Sequence, residues 1–177
     1  MITDMASYLR FFDSVRRRTE RDVAALPSAA AAWRPPAAAG GEAAWNIGQI
    51  VRHIGGSRLY FASAYRGEGW IWEKVEGDVF DQRNWVPWLE RSAEEFAALL
   101  RETPDAWLTR RIEMIDTPGA TLSGWRLLMM MVEHEVHHRS QIDSYAGLAG
   151  WPVPDIFGRS AESIDALQSS QRARHRG

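Results

Sequence analysis

The chain has 177 residues, 45% of them hydrophobic, and 21 Lys+Arg stand against 23 Asp+Glu. That length and composition fit one compact domain with a real core and exclude disorder throughout. The formal charge of -2 argues against a general binder of nucleic acid or anionic membrane, and the lack of cysteine removes disulfides, thiol nucleophiles and Cys-ligated metals. Any metal must therefore be held by His, Asp or Glu. The opening "MITDMASYLRFF" lacks a signal-type apolar run, and no stretch approaches the roughly 20 apolar residues that span a bilayer. The expectation is a soluble cytoplasmic protein.

Helical periodicity dominates from the start. From about Asp4 to Ala25, Met5, Tyr8, Leu9, Phe12, Val15 and Val23 recur mostly at three- and four-residue steps. "PSAAAAWRPPAAAGG" then reads as a loop, punctuated by Pro-Pro and Gly-Gly. A second helix is predicted from about Asn46, an N-cap residue, to Tyr65, with Ile47, Ile50, Val51, Ile54, Phe61 and Tyr65 on one stripe. Gly55 and Gly56 interrupt it against helix propensity, which points to close packing or a ligand near the backbone. Residues 67–85 show little period and hold Trp70, Trp72 and Trp85; the tryptophans from Trp70 to Trp88 read first as core or boundary packing, with the pocket mouth or a dimer contact as the alternative.

A third helix is expected from about Pro87 to Glu102, carrying Trp88, Leu89, Phe96, Leu99 and Leu100. "LTRRIEMIDTPGATLSG" suggests a turn at Pro118-Gly119 with a short hairpin. The fourth helix should start near Thr121 or Ser123 and run to about Ala146, with Gly147 and Gly150 as stops. The expected organisation is one domain over residues 1–166 and a frayed polar tail over 167–177. The fold class is all-α, a four-helix bundle, an architecture in which facing side chains can build a metal site.

Of five histidines, three crowd into "HEVHH", residues 134–138. At about 100° per residue, His134 and His138 stand about 40° apart in azimuth and one turn apart in height. Both can reach one ion with bonds of about 2.0–2.1 Å. His137 points about 60° to the other side of His134 and reads as a surface or supporting residue. The apolar run Leu127 to Met131 precedes the cluster, which makes a merely solvated face a poor account of it. His53, beside the apolar stripe of the second helix, is either a core-edge residue or the third ligand.

The string His134-Glu135-Val136-His137-His138 contains H-E-x-x-H, a zinc-protease pattern that is weak without context. A protease takes its third ligand downstream, where Asp155, Glu162, Asp165 and His175 are available and Glu162 is the best placed. No mixed sheet to line a peptide cleft is evident.

"WNIGQIVRHI" about eighty residues ahead of "HEVHHRSQI", inside a four-helix pattern, resembles the DinB-like (YfiT-like) family of metal-dependent proteins. That family is related to mycothiol-dependent maleylpyruvate isomerases and bacillithiol transferases. Ser140 stands where Gly is commoner in the family string. The resemblance runs from the first helix to "PVPDIFGRSAESID". It implies a four-helix bundle of DinB/YfiT type with long connections and a homodimer. It also implies a divalent metal, Zn²⁺ or Ni²⁺, held by His53, His134 and His138.

The chemistry implied is activation of a low-molecular-weight thiol for S-transfer to an electrophilic small molecule. The alternatives are a hydrolase with metal-activated water and a non-catalytic metal-binding stress protein. Glu135 is the candidate base. Arg52 and Arg139 are candidates to hold a substrate carboxylate, and Gln141 to orient a ligand or a histidine.

Overall fold

The computed structural model describes residues 2–36, 44–72, 81–155 and 159–174. Helix α1 (Met5–Ala24) begins where the Asp4 carboxylate accepts from the Ser7 amide at 2.7 Å. Helix α2 (Ile47–Arg66) opens on a capping box: the Asn46 side chain accepts from the Gln49 amide, and Gln49 returns the bond to the Asn46 amide. Such caps satisfy amides that the first helical turn leaves without partners. Helix α3 (Trp85–Arg101) starts two residues ahead of the predicted Pro87, which is accommodated in the first turn where no intrahelical bond is lost.

A two-stranded antiparallel hairpin, β1 (Arg111–Glu113) and β2 (Thr121–Ser123), pairs Ile112 with Leu122. Helix α4 (Gly124–Leu148) follows directly, so the expected hairpin takes residues 121–123 and the helix starts after Ser123. Gly147 does not stop α4; Gly150 does, with a positive φ of 73° just past the helix end. Residues 161–174 form α5, so the segment 167–174, expected as a frayed tail, is helical and mostly exposed. The Gly40-Gly41 pair of the predicted loop and His175 lie outside the described residues.

Helix α1 packs on α3 and α4, and α2 packs on the same two. Thus α1 and α2 sit diagonally, as do α3 and α4. The two connections that join diagonal helices, residues 25–46 and 102–123, and the one between α2 and α3, residues 67–84, are all long. Helices α2 and α4 run antiparallel: Ile47 and Ile50 share a cluster with Tyr145, while Tyr65 meets the start of α4 at Gly124.

Two apolar clusters fill the bundle. One gathers Tyr8, Phe12, Phe96, Leu100, Leu127 and Leu128; the other gathers Val23, Ile50, Ile54, Trp88, Leu89 and Ile142. Between them lies a buried polar layer of Thr19, Arg58, Ser92, Glu135 and Arg139, at the level of the predicted histidines. Gly55 and Gly56 are explained by packing on two sides of α2. A Cβ on Gly55 would lie 2.2 Å from the Trp88 indole, and one on Gly56 would lie 3.0 Å from Trp72.

Candidate metal centre

Helices α2 and α4 bring His53, His134 and His138 together, half-buried, with one ligand-capable atom of each within 4.8 Å of the others. His53 Nε2 and His134 Nε2 are 2.9 Å apart. The ring centroids of His53 lie 4.8 Å from both His134 and His138, and those two lie 4.5 Å from each other. One helical turn supplies the second pair, and antiparallel packing of α2 on α4 supplies the first member. Three imidazoles at this spacing suit one ion with bonds of about 2.0–2.1 Å.

The rings are kept neutral. Burial, then the neighbouring His138 and Arg52, lowers His53 to about 4. Burial again leads, followed by His138, His53 and His137, in lowering His134 to about 3. His138 is also lowered, burial outweighing the opposing hydrogen bond to Gln141. Neutral imidazole is the form that binds metal, so at neutral pH no net positive charge has to be removed from the rings before an ion is held.

Gln141 stands behind His138. Its Nε2 donates to the Tyr145 hydroxyl at 3.0 Å, which turns its Oε1 toward His138 Nδ1 at 3.1 Å. The proton of His138 is thereby fixed on Nδ1 and its Nε2 lone pair is left for a ligand, a common role for a group behind a metal-binding histidine. His137 is exposed, with its ring 5.0 Å from that of His138.

Two other expectations are corrected. Glu135 is not placed to act as a base. Its carboxylate is 1% exposed, and both oxygens are taken by Arg58, from Nε at 2.9 Å and Nη2 at 2.7 Å, while Thr19 adds a third bond at 2.8 Å. A carboxylate held by a bidentate guanidinium inside the core is withdrawn from any substrate. Arg139 is likewise buried. Its Nε lies 3.8 Å from Asp22 Oδ2 on α1, so it faces the interior and is withdrawn from any substrate carboxylate. Glu135 and Arg139 are one turn apart and share the face that meets α1, which is why both depart from the ligand face.

Arg52 is half-buried at the triad's edge, and its charge is one of the influences lowering His53. Glu162, the best downstream ligand for a protease, is exposed on α5 and does not join the triad.

The sequence reading missed Trp45 as part of the site and preferred packing to the pocket mouth for Trp72. Trp45 lies 4.7 Å from His53 and 6.0 Å from His138, and Trp72 lies 5.3 Å from His53. Trp85 and Trp88, in contrast, are core residues. It also missed the partners of Glu135, although the signal was present: Arg58 falls four residues after Ile54 and three before Phe61, a charge on an apolar stripe.

Fold and site together define a helical bundle with a three-histidine centre competent for a divalent metal. Residues 1–171 match the model of the DinB family, and the chain belongs to that family. It is similar in fold to a DinB-like protein from Bacillus cereus ATCC 10987, with a TM-score of 0.68 and 20% identity over 88% of this chain and 99% of that one. The DinB-like protein YjoA from Bacillus subtilis gives 0.66 and 21%, covering 85% and 96%. YfiT from Bacillus subtilis, described as a probable metal-dependent hydrolase with an unusual four-helix bundle topology, gives 0.59 and 18%, covering 84% and 89%. No curated protein matches the chain. No helix among the described residues is long and apolar enough to cross a membrane.

Proposed function

We propose that this protein is a metal-dependent enzyme in which His53, His134 and His138 hold one divalent cation, zinc or nickel, and that it transfers a low-molecular-weight thiol to an electrophilic small molecule. The observation that carries the metal is the convergence of three neutral imidazoles from two helices. Such a cation, when bound, lowers the pKa of a thiol or water in its coordination sphere and supplies a nucleophile at neutral pH.

What favours the thiol is the position of Glu135. Among the described residues, no carboxylate joins the triad, and Glu135 is committed to Arg58. A thiol, with an ordinary pKa near 8.5, needs far less help to ionise than water does. The remaining groups have definite tasks. Gln141 holds the tautomer of His138. Arg52 places a positive charge beside His53, which suits a substrate bearing a carboxylate. Hydrolysis by activated water is the second reading, supported by the likeness in fold to YfiT. The family relationship also supports a homodimer, which sedimentation of the metal-loaded protein tests.

Metal analysis decides the first half. Purified wild type should carry about one metal per chain and His134→Ala almost none, since two imidazoles hold a divalent ion far more weakly than three. Equal contents would remove the site. The second half is tested by titrating mycothiol, bacillithiol and glutathione into Co²⁺-loaded protein. One of them should raise thiolate-to-metal charge-transfer absorption and should turn over with an activated aryl halide. Ester hydrolysis without any thiol would favour the second reading, and metal without turnover on either panel would leave a binding protein.

A further inference from the structure

The ring contacts around the triad close a circuit. Trp45 touches His138 and His53, His53 touches Trp72, Trp72 touches Tyr60, Tyr60 touches Trp70, Trp70 touches Phe61, and Phe61 touches His134. Two members are conspicuous for where they stand. Trp45 and Trp72 are each 42% exposed, although they are among the largest apolar side chains in the protein. Exposed apolar surface gathered at one place marks a binding region more often than scattered residues do.

Their placement is built. Trp72 lies against the backbone of α2 at Gly56, where a Cβ would come within 3.0 and 3.1 Å of the indole. A glycine inside a helix costs about 1 kcal/mol relative to alanine, a cost offset by seating the Trp72 indole directly on the backbone. The same indole is nearly parallel to His53, at an interplanar angle of 29°, and is backed by Tyr60 at 5.7 Å. Behind Tyr60 stands Trp70, tied by its indole N–H to the Glu113 carbonyl at 2.9 Å. On the other side Trp45, just ahead of the Asn46 cap, lies edge-on to His53 and within 22° of parallel to His138.

We propose that Trp45 and Trp72 form an aromatic clamp beside the histidine centre, which selects ligands carrying a planar conjugated or aromatic group next to an anionic metal-binding donor. Indole faces reward a flat π-system with offset or edge contacts beyond the area buried. Indoles also attract organic cations, but here the electrostatics oppose one. The triad contributes no negative charge, Arg52 adds a positive one, and the divalent ion of the proposed function would add two more. The clamp thus names the substrate class of that same centre, and it rests on the metal reading.

The test uses three hydroxamates that share one metal-binding head and differ in the attached group. Benzohydroxamate is planar, cyclohexanecarbohydroxamate is of similar bulk but not flat, and acetohydroxamate is small. Each is titrated by calorimetry into zinc-loaded wild type, Trp45→Leu, Trp72→Leu and Gly56→Ala, with the metal content of each protein measured alongside. Wild type should prefer benzohydroxamate over the cyclohexane analogue by about tenfold, the scale of one or two aromatic contacts. Either leucine variant should keep its metal and lose most of that preference. Gly56→Ala, which displaces Trp72 without altering it, should lower the preference partway. Equal binding of the two ring compounds by metal-loaded wild type, or a preference that survives both leucine variants, overturns the clamp and leaves the metal centre standing. A wild type that takes up no metal overturns both.

Discussion

The histidine triad and the Arg58–Glu135 layer lie side by side at the α2–α4 seam, and they handle polarity in opposite ways. At the centre of the layer the ion pair is answered within the protein. Glu135 receives Arg58 twice and Thr19 once, and Arg58 spends its remaining donor on the Leu89 carbonyl and Ser92, so four helices meet at one ion pair. In the triad the nitrogens face one another: His53 Nε2 meets His134 Nε2 at 2.9 Å and has the Ser57 hydroxyl only at 3.5 Å. Residues 134 and 135 are adjacent in the chain, yet one serves the centre and the other the core. Buried charge therefore does not mark a functional site here; imidazole nitrogens converging on one point do.

The sharpest way to break that comparison is to remove half of the ion pair. Arg58→Ala or Glu135→Ala should destabilise the fold by about 3–5 kcal/mol, because each strands an uncompensated charge in the core. Denaturant unfolding measures it. The paired replacement Arg58→Met with Glu135→Leu should recover most of the loss, since a fully buried pair often gives little net stability over apolar groups of similar volume. If the single variants unfold like wild type, the layer is not the structural element described.

A smaller effect is expected behind the triad. Gln141→Leu releases His138 Nδ1 and should weaken metal binding about 10–100-fold while the unfolding midpoint of the metal-free protein barely moves. Competition with a chromogenic chelator reads the affinity. An unchanged affinity would show that Gln141 serves only as a link to Tyr145.

A separate effect is in the pH dependence of metal-free stability. His53 and His134 titrate near 4 and 3 when folded, below the ordinary 6.5, so the unfolded chain binds more protons as pH falls below about 6.5. Stability from these groups is fully present above 6.5 and is lost as pH falls toward 4. Asp143 acts in the opposite sense. Burial, then the Asp22 charge, raises it to about 6 from 3.8, so its contribution is present below 3.8 and is lost as pH rises through 6. Asp143→Asn should consequently steepen the loss of stability between pH 6 and 4, as followed by thermal unfolding at a series of pH values. A shallower slope in the variant would reverse the assignment.

Much of this architecture was legible locally. The stripes Met5–Tyr8–Phe12–Val15 and Ile47–Ile50–Val51–Ile54 are core faces, and Asn46 is the cap it was expected to be. The spacing of His134 and His138 placed both on one ligand face, and the family resemblance supplied His53. The errors concern direction. Glu135 and Arg139 sit on the ligand helix and look available in one dimension, but their face of α4 meets α1. Charges at core spacing on α2 and α4 were a warning that they pair with each other, although no local pattern says which with which.

By itself, then, the sequence determined what depends on neighbours along the chain: helix periods, caps, the absence of thiol ligands and the one-turn spacing of two histidines. These follow from backbone geometry that repeats every few residues. Only tertiary structure decided what depends on contacts between distant segments. It set the diagonal order of the helices, the commitment of Glu135 to an arginine 77 positions away, and the seating of Trp72 on a bare glycine. Which polar groups are spent inside the bundle and which are left for a ligand is settled by packing, because a side chain's partners are fixed by the helices it faces.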